Sequence, residues 1–110
     1  MTNLYKGSEA LLQGKREFDI LYALDMREEP TVTSLLTGSH KYLFTIRADD
    51  MNDVFYKMQG HVWSPNGEAQ GLIAGLGLTH TSMSVNDVIV TRDDGVWIVK
   101  DIGFKQIICP

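Results

Sequence analysis

The chain has 110 residues, 44% hydrophobic and 22% charged, with a formal net charge of −4 and a single cysteine, Cys109. This length suits one domain that buries a modest core without cross-links. The acidic balance argues against nonspecific nucleic-acid binding, which needs a concentrated basic surface, and a lone cysteine rules out an intrachain disulfide framework.

Basic residues are scattered, Lys15-Arg16 being the only adjacent pair. The N-terminus lacks the apolar core of a secretory signal. The uncharged run from Ala69 to Asn86 is interrupted by Gly, Thr, His and Ser, so no membrane span is expected. A reducing cytoplasm is the expected setting.

In chain order, residues 1–16 are the least patterned and are expected to be weakly structured, with a helical turn or two at Ser8 to Gln13 ended by Gly14. A single α+β domain is expected over 17–110. Phe18, Ile20, Tyr22 and Leu24 alternate with their neighbours and predict a first strand. Thr31 to Leu36 reads as extended or as a short helical turn. Lys41 to Ala48 predicts a second strand, with Tyr42, Phe44, Ile46 and Ala48 on one face and Lys41, Thr45 and Arg47 on the other.

Asp49 or Asp50 then caps a helix whose residues Met51, Val54, Phe55 and Met58 form an apolar stripe, with Gly60 as its stop. Ser64-Pro65-Asn66-Gly67 suits a type I turn. Glu68 to Leu76 could form a short helix weakened by Gly71 and Gly75. Val88 to Val90 and Val96 to Val99 flank Arg92-Asp93-Asp94-Gly95, a strong hairpin signal because glycine accepts positive φ. Phe104 to Ile108 closes the domain. The expected fold is α+β, a largely antiparallel sheet of about five strands with one main helix packed on it.

Chemistry-bearing motifs are sparse. His80, Ser82, Ser84 and Asp87 are close in sequence, which permits a hydroxyl nucleophile with an imidazole base. The preferred reading is structural: the serines bond to backbone, and Asp87 closes an Asx-type turn. His40, His61, His80 and Cys109 show no metal-ligand spacing, so no metal and no cofactor are expected. Gly71 to Gly77 lacks the lysine and hydroxyl of a phosphate loop. Tyr42 and Phe44 do not match the pattern of an RNA-stacking sheet. Trp63, in a loop-rich region beside His61, and Trp97, which points opposite to Val96 and Ile98, are the candidate binding residues.

The run Thr81-Ser82-Met83-Ser84-Val85-Asn86-Asp87-Val88-Ile89, followed by the Asp-Gly turn and Asp101-Ile102-Gly103-Phe104, resembles the YodL-like small domain family. The order of the preceding elements and Pro65 extend the resemblance over roughly residues 17 to 108. Asn86 stands where relatives carry Gly or Ser, and asparagine tolerates the left-handed backbone such a turn needs. The resemblance implies a phage, plasmid or other mobile-element context and transfers no catalytic residue.

The leading expectation is therefore a non-enzymatic protein-interaction module that occupies a host or viral protein through Trp63, His61 and Trp97, as an accessory or counter-defence inhibitor. The rival is a small enzyme, or a nucleotide or small-ligand binder, with His61, His80, Ser82 and Asp87 around one pocket. Nucleic acid and membrane are not expected partners. The terminal strand Phe104 to Ile108 leaves pairing across a homo-oligomer open.

Overall fold

The computed structural model describes Leu4, residues 8–93 and residues 95–109. Five strands form one antiparallel sheet: β1 (Arg16–Ala23), β2 (His40–Ala48), β3 (Val88–Thr91), β4 (Val96–Val99) and β5 (Phe104–Ile108), in the order β2-β1-β3-β4-β5. The helical segments are α1 (Val32–Leu36), α2 (Met51–Lys57), α3 (Gly60–Trp63) and α4 (Gln70–Gly75), with a 3-10 turn at Glu9–Leu12. The expected α+β class and antiparallel sheet are present. The helical layer consists of several short pieces rather than one main helix.

Local chemistry sets the helix starts. The Asp50 carboxylate accepts from Asp53 N at 2.8 Å, capping α2. Thr31 Oγ1 accepts from Ser34 N while Ser34 Oγ accepts from Thr31 N, a reciprocal capping box at α1. Val54 and Met58 of the α2 stripe are fully buried and Met51 packs partly on the core, but Phe55 remains 38% exposed.

The strand pattern departs from simple alternation at one place. Ile20 pairs with Phe44 and Leu21 with Tyr42, so Leu43 is an extra residue on β2. The bulge lets Leu43 and Phe44 both join the core. Tyr42 is thereby turned away from the face expected for it. Its hydroxyl donates to Thr45 Oγ1 at 2.7 Å, because the Thr45 proton goes to Asp19 Oδ1 at 2.6 Å.

The N-terminal segment is more ordered than its composition suggested. Leu11 is fully buried in the core, and Gly14 sits so close to β2 that a Cβ there would lie 2.4 Å from the Ala48 backbone. Only the part of the segment at residues 1–3 and 5–7 falls outside the described residues, as does Asp94 of the hairpin turn. That hairpin is present, with Ile89 opposite Trp97. Gly95 is needed for space, since a Cβ would meet Thr91 Oγ1 at 2.8 Å and Trp97 Nε1 at 3.2 Å.

Candidate functional site

The Ser82 to Asp87 segment builds a buried polar knot. Asp87 is fully buried, and its carboxylate accepts from Ala23 N at 2.8 Å at the end of β1 and from Ser84 N at 2.8 Å. His80 Nε2 lies 3.0 and 2.8 Å from its two oxygens. Asn86 has φ 75°, a left-handed backbone that asparagine tolerates, and its amide donates to Met26 O at 2.7 Å. His40 Nε2 contacts Asn86 O at 2.7 Å.

This geometry does not assemble a nucleophile. Ser82 Oγ accepts from Gly60 N at 2.7 Å, and Ser84 Oγ donates to Ser82 O at 3.0 Å. His80 Nδ1 is buried without a hydrogen-bond partner, so no hydroxyl faces it. His61 is exposed on α3 and stands edge-on to Tyr56, with ring centroids 6.5 Å apart. The residues of the rival pocket are thus held in backbone bonds or separated, apart from the His80–Asp87 contact.

Trp63 corrects the expectation that it offers a surface to a partner. It is fully buried and meets Phe44 edge-to-face at 5.3 Å. Its indole N–H points to Met58 O and Thr81 O, each at 3.1 Å. The Tyr22 hydroxyl donates to the same two carbonyls, at 3.3 and 2.7 Å, while its ring stacks on His80 at 4.5 Å. Burial, reinforced by the Asp87 carboxylate and opposed by a hydrogen bond with Trp63, pushes the Tyr22 phenol far above its ordinary range. These loops look polar in sequence, yet α3 and the Thr81 carbonyl close over the tryptophan.

The exposed aromatic surface lies instead on the helical layer. Phe55 is 38% and Tyr56 60% exposed, and His61 stands beside Tyr56. Of the residues expected at an interface, His61 belongs to this patch, whereas Phe55 and Tyr56 were missed. The signal for Tyr56 was legible, because it falls outside the apolar stripe of α2 and must point away from the sheet.

Trp97 occupies a different place. It is half-buried at a cavity of about 650 Å³ where the helical layer stops short of the β3–β5 end of the sheet. Register puts Phe18 opposite Thr91 and Trp97 opposite Gln106, on the face that carries the core, and Met51 of α2 forms a wall. The cavity draws on β1, β2, α2, β3, β4 and β5, an assembly that local periodicity does not reveal.

Among the described residues, no group of three or more His, Cys, Asp and Glu side chains is arranged to hold a metal ion. No helix among them is long and apolar enough to cross a membrane. The chain matches no protein-family model, no curated protein and no solved structure.

Proposed function

We propose that this chain is a small non-enzymatic protein-interaction module whose contact surface is the aromatic patch of Phe55, Tyr56 and His61. The observation that carries the reading is the joint exposure of these rings on the helical layer. Exposed tyrosines and neighbouring aromatics are frequent anchors at protein interfaces, because they bury a large area with few rotatable bonds. The engagement of Ser82 and Ser84 in backbone bonds favours binding over catalysis.

The partner is a host or viral protein, and the role is that of an accessory or counter-defence inhibitor carried by a phage or other mobile element. That setting is supported by the Ser82 to Phe104 resemblance alone. The residues that carry it include Ser82, Asn86 and Asp87, which are occupied in holding the fold. The resemblance therefore bears on the scaffold and the context, and the patch bears on the contact.

The test is a tagged pulldown from host lysate with the parent chain and a Phe55→Ser, Tyr56→Ser, His61→Ala variant. The reading expects a specific protein that the parent recovers and the variant loses. Equal recovery by both removes the patch from the account.

A further inference from the structure

The Trp97 cavity is separate from the aromatic patch, and its hydrogen-bonding inventory is one-sided. Lys15 and Arg16 line it, are exposed, and form no ion pair among the described residues. The Trp97 indole N–H and the Gln106 amide likewise have no hydrogen-bond partner among those residues.

The acids of the cavity, by contrast, are engaged. Glu17 faces Arg47 at 3.2 Å, Asp50 caps α2, and Asp93 accepts from Thr91 Oγ1 and from Gly95 N. Arg92 is held by Asp19. These hydrogen bonds leave the acids charged, so the lining carries four cations, Lys15, Arg16, Arg47 and Arg92, against three anions, and Lys15 and Arg16 are the cations open to a ligand, above a floor and wall made from Phe18, Trp97 and the Met51 thioether.

We propose that this cavity binds a nucleoside phosphate. Its volume lies in the range of small-molecule sites, about 300–1,000 Å³. The base would lie against the indole of Trp97 with Met51 and Phe18 beside it, since every base has a π-face and stacking tolerates many sequences. The phosphate would sit at Lys15 and Arg16, where guanidinium and ammonium groups give short charge-assisted hydrogen bonds. Gln106 and the Trp97 N–H are placed to donate to the base edge or the ribose. The negative charge of the whole chain opposes this only weakly, because exposed charges beyond about 10 Å are screened at ordinary salt.

The experiment is a titration of the intact chain with each of the four ribonucleoside 5′-monophosphates, followed by amide and indole NMR shifts. Uncharged nucleosides and inorganic phosphate are run as separate arms. The proposal expects saturable shifts at Phe18, Thr91, Gln106 and the Trp97 indole N–H with at least one nucleotide. Binding should weaken about tenfold or more in Arg16→Gln and for the nucleoside without its phosphate. Arg16 is exposed and forms no ion pair among the described residues, so that variant keeps the fold, and unchanged shifts elsewhere in its spectrum verify this. Gly95→Ala, which crowds Trp97 Nε1 and Gln106 without altering charge, should also weaken binding. The proposal is overturned if no nucleotide moves these resonances at millimolar concentration. It is equally overturned if phosphate alone moves them as much, or if Arg16→Gln binds as tightly as the parent.

Discussion

His80 Nε2 lies within 3.0 Å of both carboxylate oxygens of Asp87, and that carboxylate also receives the amides of Ala23 and Ser84. A single buried acid thereby joins the loop before β3 to the neighbouring strand β1. This arrangement accounts for the polar run Ser82 to Asp87 without invoking catalysis.

Asp87→Ala removes the acceptor from the buried amide of Ala23, the part-buried amide of Ser84 and the part-buried His80 ring. At about 1–3 kcal/mol for each orphaned group, the variant should lose about 3 kcal/mol or more of unfolding free energy. Urea denaturation measures it; a loss below about 1 kcal/mol would contradict the structural role given to Asp87.

Trp63→Ala should behave as a core truncation and cost about 3–5 kcal/mol. Thermal denaturation of this variant should show a much lower Tm. A Tm like that of the parent would mean that Trp63 is not packed as described. Loss of a partner in Trp63→Ala would therefore report unfolding and not contact.

The Tyr22 phenol is held above its ordinary value of about 10 by burial first, then by the Asp87 charge. Below that pH neither state is ionised and the stabilisation is complete. Above it the unfolded chain releases the proton while the native state retains it, so stability falls by about 1.4 kcal/mol per pH unit. In Tyr22→Phe this component is absent, and the stability gap between parent and variant should shrink or reverse as pH rises from 9 to 11. Parallel pH profiles for the two proteins would rule the account out.

Gly14→Ala places a methyl group 2.4 Å from the Ala48 backbone, a distance that only main-chain movement can relieve. The substitution should cost about 2 kcal/mol or more and shift the amide resonances of Ala48 and its neighbours. A neutral effect would show that the segment before β1 is not clamped to β2.

Much of the fold was legible in local signals. Asp50 as a cap, the Val54 and Met58 stripe and the β3–β4 hairpin follow from short-range chemistry that the sequence displays directly. The Leu43 bulge was not legible, because Tyr42, Phe44 and Ile46 mimic an unbroken alternation and only pairing with β1 exposes the extra residue. Trp63 was misread for a related reason. Its burial depends on carbonyls at Met58 and Thr81, the second 18 residues away. The binding candidates thus divide three ways: Trp63 in the core, His61 in an aromatic patch with Tyr56, and Trp97 in a cavity assembled from separated segments.

The most direct test of the central claim compares partner recovery by the parent chain with recovery by the Phe55→Ser, Tyr56→Ser, His61→Ala variant at matched Tm. Tyr56 and His61 lie at the surface, where substitutions usually shift stability by about 0.5 kcal/mol or less, whereas Phe55 is 38% exposed and its replacement costs more, which the Tm comparison controls. The account predicts one specific host or viral protein bound by the parent and lost from the variant. A folded variant that retains the partner, or a parent that recovers none, would contradict it.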